Sequence, residues 1–409
     1  MSGIAVEKVV LLGDSVVLDV PAVQGRYRGA LTAGGERIEG TWTQGPQSWP
    51  IALERTGEYA GPKRPQIPEK PYPYFEEEVG IENAEDGIRL AGTFTKPAGA
   101  GPFPAVVLLT GSGPQDRNET VMAHPIFLVL ADHLTRRGIA VLRYDDRGVG
   151  GSTGDFATAT SMDFASDAAA GVAWLDGRDD VGSVGLVGHS EGGLVAPIVA
   201  NRAAAVDFVV LMAGPGLVGT EILRLQGELI ARAMGVPEAD IRAQLESNKA
   251  AFAIMAEESD DARARERLRE VWLAELGEMT TEQRKQAGMT EMSDSAIVGQ
   301  RLDQLVTPWF RFFLDYDPLP ALRKVDVPVL AINGELDLQV PPDENLAAIC
   351  QALEDGGNTR VTTRVMPGLN HLFQTAETGS PAEYSRIEET ISPVAMDVIA
   401  DWILKTAEQ

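Results

Sequence analysis

Val184-Gly185-Leu186-Val187-Gly188-His189-Ser190-Glu191-Gly192-Gly193 runs from a short apolar stretch into a glycine-flanked serine, and on into the helix-compatible Leu194-Val195-Ala196-Pro197-Ile198-Val199-Ala200. Strand, sharp turn and helix in that order put the serine at the tip of the turn. Its hydroxyl there stands clear of both elements and can meet a base arriving from elsewhere in the chain. Glycine at positions 188 and 192 suits the crossing, because a side chain at either would collide where strand and helix meet. The five-residue pattern alone does not decide the matter, since Gly150-Gly151-Ser152-Thr153-Gly154 also fits it. That second match follows Arg147-Gly148-Val149 and leads into Asp155-Phe156-Ala157-Thr158, neither strand nor helix. Ser152 is therefore read as loop and Ser190 as the nucleophile.

Around this segment strands and helices alternate. Strands are expected at 88–94, 105–109, 140–144, 184–187 and 208–212, and helices at 121–137, 162–176 and 191–203. Such alternation builds a mostly parallel sheet covered by helices on both faces. After Gly214-Pro215-Gly216 the rhythm stops, and helical periodicity takes over, with Ile222, Leu225 and Leu229 on one face and a charged stretch at 260–270. It resumes with a strand at 327–333, a helix at 344–353, a strand at 361–366 and a last helix at 393–406. Upstream, apolar bursts at 16–18, 27–31, 38–42 and 49–53, parted by turns such as Ala33-Gly34-Gly35, read as a small β-meander. Pro62, Pro65, Pro68, Pro71 and Pro73 read as a stiff connector. The expected organisation is a β-domain with its connector at 1–75, an α/β domain at 76–215 and 320–409, and a helical insertion at 216–319.

A serine activated by a histidine needs an acid to orient that histidine, and in such a sheet both stand at the carboxyl ends of later strands, acid first. Strand 327–333 runs into Gly334-Glu335-Leu336-Asp337, and strand 361–366 into Pro367-Gly368-Leu369-Asn370-His371. Asp337 and His371 are the candidates, and His371 is the only histidine after Gly192. Glu335 is a rival carboxylate, set behind Asp337 because two further residues carry Asp337 past the strand end toward His371. His124 and His133 are read as structural, and His189 as directed away from Ser190. The oxyanion donors are expected to be the backbone N–H of Glu191 and that of Ser112, with Gly113 as second choice, in Thr110-Gly111-Ser112-Gly113-Pro114-Gln115-Asp116-Arg117-Asn118. Asp116 with Arg117, and Asp146 with Arg147, are expected to pair as braces.

Composition narrows the function classes. With 44% hydrophobic residues over 409 positions the chain buries a large core, and a main domain with additions is expected. A formal net charge of −25 repels phosphate backbones and anionic lipid, so neither nucleic acid nor membrane is expected as a partner. No P-loop occurs, and Thr153 falls where Gly148-Val149-Gly150 would need the third glycine of a dinucleotide site. With four histidines, one cysteine and no H-E-x-x-H, neither metal nor cofactor is expected. Cys350, beside Ile349 in an amphipathic pattern, is read as a core residue. Glu7, Asp14 and Asp19 interrupt the first twenty residues, so no signal peptide is read there and a cytoplasmic location is the default.

Together these segments resemble the α/β-hydrolase superfamily from about residue 76 to the end. Gly111-Ser112-Gly113-Pro114-Gln115-Asp116-Arg117, Gly188-His189-Ser190-Glu191-Gly192, Asn333-Gly334-Glu335-Leu336-Asp337 and Gly368-Leu369-Asn370-His371-Leu372-Phe373 resemble a group of bacterial carboxylesterases with helical caps. The resemblance implies an α/β-hydrolase fold with a cap insertion and a small N-terminal β-domain. It also implies Ser190, Asp337 and His371 as triad, the amides of Ser112 and Glu191 as oxyanion hole, and residues 216–319 as lid. Chains of this group often carry a longer β-domain behind a signal peptide. A short meander has unpaired edges, so residues 1–60 are expected to pair with the hydrolase domain or with a second copy in a homodimer.

The substrate expected is a small-molecule ester of short to medium acyl chain. Trp309, Phe310, Phe312, Phe313 and Tyr316 cluster late in the insertion, and Trp309, Phe312 and Phe313 are the candidates to face the acyl group. Three other readings share the motifs. A serine peptidase of the prolyl-oligopeptidase type is disfavoured because sixty amino-terminal residues cannot make a propeller. Lactone, thioester or β-lactam hydrolysis needs only acyl transfer to the same serine. An inactive hydrolase fold serving as a binding protein is disfavoured because all three triad residues are present.

Overall fold

A computed structural model of the chain describes residues 8–20, 25–32, 34–44, 47–55, 62–280, 284 and 293–408. They form two compact units, one reaching to Lys63 and including Glu257–Val306, the other made of Arg64–Ala256 with Thr307 onward. In the first, β1 (Lys8–Leu12), β2 (Ser15–Val20), β3 (Gly25–Leu31), β4 (Arg37–Gln44) and β5 (Gln47–Glu54) form an antiparallel meander in sequence order. The expected bursts became β2 to β5, and β1 is an additional edge strand. Tyr27 is buried under the meander, its hydroxyl 3.1 Å from the carbonyl oxygen of Ile38 and 2.9 Å from that of Ile51.

The second unit carries the α/β rhythm. Along the chain it runs β6 (Phe75–Asn83), β7 (Ile88–Lys96), β8 (Phe103–Leu109), the short pair β9 (Thr120–Val121) and β10 (His124–Pro125), α1 (Ile126–Arg136), β11 (Ala140–Tyr144), α2 (Ser161–Asp176), β12 (Val181–His189), α3 (Glu191–Ala200) and β13 (Val206–Met212). The long insertion follows: α4 (Gly219–Ala233), α5 (Glu238–Glu257), α6 (Asp261–Glu278), α7 (Asp294–Leu305), α8 (Pro308–Asp315) and α9 (Leu319–Leu322). The chain closes with β14 (Val329–Gly334), α10 (Pro342–Asp355), β15 (Val361–Met366) and α11 (Pro393–Ala407). Of the expected insertion, α4, α8 and α9 belong to the second unit, whereas α6 and α7 belong to the first.

Eight strands form one sheet in the order β15-β14-β13-β12-β8-β11-β7-β6. From β11 to β15 neighbours are parallel, while β7 and β6 run antiparallel at one edge. This is the α/β-hydrolase fold that the sequence led us to expect. Period-two alternation sorts each strand between two cores: Ala105, Val107 and Leu109 pack with α2, α3 and α10 residues such as Val172, Val195 and Ile349, while Val106 and Leu108 pack with Phe127, Leu130 and Ile399 of α1 and α11. Strands covered on both faces are almost continuously apolar, which is why β8, β11 and β13 were legible.

Three expectations are corrected. β6 was missed because Glu76-Glu77-Glu78 reads as solvated chain, and an edge strand tolerates such charge. The helix expected from 121 starts at Ile126, since Met122 and Ala123 take φ of 48° and 66° and close the β9–β10 hairpin with a tight two-residue turn. Cys350 is half-buried rather than core, and its thiol faces Glu354 Oε1 at 3.3 Å while Ile349 faces inward. Ser152 lies in a loop as read, its Oγ donating to the Asp145 carbonyl oxygen at 2.7 Å. Among the described residues no helix is long and apolar enough to cross a membrane.

Close backbone crossings hold the sheet to its helices. A Cβ on Gly192 would lie 2.1 Å from the carbonyl oxygen of Leu109, whereas one on Gly299, inside α7, would meet nothing within 4 Å. Gly192→Ala is therefore expected to cost about 1–3 kcal/mol from overpacking, and Gly299→Ala to gain about 0.5–1 kcal/mol from helix propensity. Thermal melts followed by circular dichroism check both. Equal melting temperatures for the two variants would contradict this account.

Candidate active site

Ser190 sits between β12 and α3 at φ 51° and ψ −116°, a conformation that a non-glycine residue holds only where its surroundings enforce it. Its N–H donates to the Met212 carbonyl oxygen at 2.8 Å, and its own carbonyl accepts the Gly193 N–H at 2.8 Å. The crossing is tight: a Cβ on Gly188 would fall 2.1 Å from the Gly192 carbonyl oxygen. Both elbow glycines are thus required, as the sequence suggested.

Asp337 and His371 come together from the loops after β14 and β15. His371 Nδ1 lies 2.8 Å from Asp337 Oδ2, with both residues buried. The other carboxylate oxygen, Oδ1, accepts the N–H groups of Gln339 (2.8 Å) and Val340 (2.9 Å), which fixes the carboxylate plane. Glu335, the rival acid, is exposed and accepts the Gly368 N–H instead. Buried Asn370 shapes the histidine loop, its Oδ1 accepting the N–H groups of Leu372 and Gln374. With Nδ1–H donated to Asp337, His371 keeps Nε2 as the basic nitrogen.

The loop after β8 is braced by charge, though not in the expected pairs. Arg117 engages Asp145, from its Nη2 to Oδ2 at 2.8 Å and its Nε to Oδ1 at 3.0 Å, and also Glu78. Arg147 turns instead to Asp167, Asp86 and Asp163. Asp146 accepts the Gln115 N–H and the Thr110 hydroxyl, both at 2.9 Å, and Asp116 accepts the Asn118 and Thr120 N–H groups. Adjacent acids and bases on an irregular loop point different ways, so sequence neighbours were the wrong partners. Among the described residues, the amides of Ser112 and Glu191 donate to no protein acceptor, whereas that of Gly111 is taken by Glu119.

Burial pushes the Asp146 carboxyl up to about 8, with Glu191 and Glu119 nearby adding to the rise and the Gln115 and Thr110 hydrogen bonds opposing it. Burial also raises Glu191. Glu191 Oε1 accepts the Ser161 hydroxyl at 2.6 Å and the Trp309 indole N–H at 2.7 Å. Trp309 is therefore held at the elbow by its polar edge and stacks on Phe313 with centroids 5.1 Å apart. Phe313 is buried in the core and Phe312 stacks on Tyr316, so of the three aromatic candidates only Trp309 is joined to an elbow residue. His124 is structural as read, its Nε2 2.7 Å from the Tyr384 carbonyl oxygen. His133 likewise faces Asp397 at 3.2 Å.

One residue of the site was not anticipated. Glu119 is buried, at φ 47°, with Oε1 2.7 Å from His189 Nδ1. The charged run Asp116-Arg117-Asn118-Glu119 beside a glycine-rich loop was its only sequence signal. His189 does point away from Ser190, but its Nε2 reaches the His371 carbonyl oxygen at 3.0 Å.

The chain is similar to several known proteins. The sequence profile described as X-Pro dipeptidyl-peptidase (S15 family) matches residues 86–369, well over half of the chain. Esterase EstD of Thermotoga maritima is 28% identical over 359 residues, covering 87% of this chain and 76% of that one. The esterase Pf2001 of Pyrococcus furiosus superposes with a TM-score of 0.49 at 18% identity, covering 86% of this chain and 98% of that one. Est1E from Butyrivibrio proteoclasticus, solved with ferulic acid bound, gives a TM-score of 0.46 at 14% identity over 81% and 100%.

The Asp146 environment has a measurable consequence. Its folded-state value of about 8 exceeds the unfolded value of about 3.9, so between those limits the folded protein holds a proton that the unfolded chain has lost. This group's contribution to stability is full below about pH 4 and is lost as pH rises toward 8. Asp146→Asn, which stays neutral, is expected to show a shallower decline of melting temperature from pH 5 to 8 than the wild type. Parallel slopes would count against the assignment.

Proposed function

This chain belongs to the X-Pro dipeptidyl-peptidase (S15) family, and from that premise we propose that it is a serine carboxylesterase acting on esters of short to medium acyl chain. The observation that carries the reading is the 2.8 Å contact of His371 Nδ1 with Asp337 Oδ2, in a loop tied by the His371 carbonyl oxygen to His189, the residue next to Ser190. Ser190 Oγ attacks the ester carbonyl carbon while its proton passes to His371 Nε2. The tetrahedral oxyanion is received by the Ser112 and Glu191 amides, each donor worth about 2.7–4 kcal/mol of barrier. Collapse breaks the bond to the alcohol oxygen, which takes the proton from His371 as it leaves. Water then attacks the acyl-serine by the same route, releasing the acid and restoring Ser190. Asp337 holds the tautomer and stabilises the imidazolium.

Ester rather than amide cleavage is favoured by the likeness to EstD, an esterase. The family profile favours a second reading, a peptidase releasing an amine by the same two steps. Trp309, with its indole N–H on Glu191, is the aromatic residue we assign to the acyl side. The meander's two strand edges are the reason for proposing a homodimer.

We expect the wild type to hydrolyse p-nitrophenyl butyrate and Ser190→Ala to lose activity by roughly 10³-fold or more. The kcat/KM should fall for acyl chains beyond medium length, and Gly-Pro-p-nitroanilide should be turned over far more slowly than the butyrate. A preference for the anilide would establish the peptidase reading. Activity surviving in Ser190→Ala would remove Ser190 from the mechanism.

A further inference from the structure

We propose that Glu119 and His189 form a second acid–histidine pair, buried behind the nucleophile, that positions the base His371 and the oxyanion loop relative to Ser190. The inference rests on the serine-hydrolase reading above and names residues that act through others. Neither side chain is required to touch substrate.

Three contacts converge on the pair. Glu119 Oε1 lies 2.7 Å from His189 Nδ1 and accepts the Gly111 N–H, also at 2.7 Å. His189 Nε2 lies 3.0 Å from the carbonyl oxygen of His371. One carboxylate and one imidazole thereby join the oxyanion loop, the elbow and the histidine loop. The distances between these parts are short: a Cβ on Gly111 would stand 3.3 Å from Ser190 Cβ, and the rings of His189 and His371 are 5.0 Å apart.

The partners also set the protonation of His189. A carboxylate and a peptide carbonyl are both acceptors, so the ring satisfies both only with a hydrogen on each nitrogen. Burial opposes that charge, but the Coulomb attraction and hydrogen bond of Glu119 outweigh it and leave His189 raised. A neutral ring would turn a lone pair toward an acceptor at a buried position. Glu119 in turn keeps a left-handed backbone with φ 47°, and its Oε2 is buried without a partner among the described residues, two costs that its contact with His189 offsets.

The pair acts on His371 through its backbone: His189 Nε2 lies against the His371 carbonyl oxygen, while Asp337 Oδ2 holds the ring at Nδ1. Loss of the Glu119 carboxylate removes the charge that keeps a hydrogen on both nitrogens of His189 and takes away the acceptor of the Gly111 N–H, so the histidine loop and the oxyanion loop both lose their tie to the elbow.

The test uses the full-length protein and the variants Glu119→Gln and Glu119→Asp, with three measurements. Nitrogen NMR of histidine-labelled protein at pH 8 should show His189 protonated on both nitrogens in the wild type and on one in Glu119→Gln. The rate of Ser190 labelling by a fluorophosphonate should fall about 10–100-fold in Glu119→Gln. In p-nitrophenyl butyrate hydrolysis kcat should fall by a similar factor with KM little changed, and Glu119→Asp should recover part of both rates. A merely structural role would lower the melting temperature without lowering kcat at temperatures where the variant is folded. Wild-type labelling rate and kcat in Glu119→Gln, or a singly protonated His189 in the wild type, would overturn the proposal. Should Glu119→Gln fail to fold, the wild-type NMR and the kcat of Glu119→Asp decide it. Absence of labelling in the wild type would fail the nucleophile reading, and the NMR result would still judge the pair.

Discussion

The crossing of β12 and α3 is the constraint on which the rest depends. The backbones approach so closely that a methyl group on Gly188 would fall 2.1 Å from the Gly192 carbonyl oxygen, and one on Gly192 would fall 2.1 Å from that of Leu109 in neighbouring β8. The residue between must then turn through φ 51°, and it is a serine. That turn sends consecutive residues in three directions: His189 beneath, Ser190 outward and Glu191 into the first turn of the helix. His189 is tied to the histidine loop through the His371 carbonyl oxygen, and Glu191 to α8 through the Trp309 indole.

Around that turn the site is assembled by charges that sequence proximity does not pair. Arg117 reaches Asp145 across to the end of β11, and Arg147 reaches Asp167 on α2. Buried pairs of this kind are expensive to break, because the remaining partner is left as an uncompensated charge. The loop after β8 is accordingly built as a rigid body. Asp146 instead accepts from the Gln115 N–H and the Thr110 hydroxyl, and burial raises it to about 8.

What could be read in the sequence was what repeats or what is confined to one segment. Strands covered on both faces announce themselves as apolar runs, and the elbow announces itself through glycine spacing. The order of nucleophile, acid and base put Asp337 and His371 in adjacent loops, and they do meet. Edge strands carry no such signal: Glu76-Glu77-Glu78 of β6 pairs on one side only and can stay charged. Nor did anything in the chain link Glu119 to His189, seventy positions apart, because the link is made by tertiary packing of two loops. The Arg117 and Arg147 partners were misread for the same reason.

Glu191 shows how far a single elbow residue reaches. Its amide is one of the two proposed oxyanion donors, while its buried carboxyl holds Ser161 of α2 and Trp309 of α8 through the same oxygen. The backbone of the residue that would meet the developing charge is thereby fixed by the side chain that anchors an aromatic helix of the insertion. A shift of α8 that pulled Trp309 away would leave buried Glu191 Oε1 with one donor fewer, at a cost of about 1–3 kcal/mol. That cost opposes separation at this point and holds α8 against the elbow.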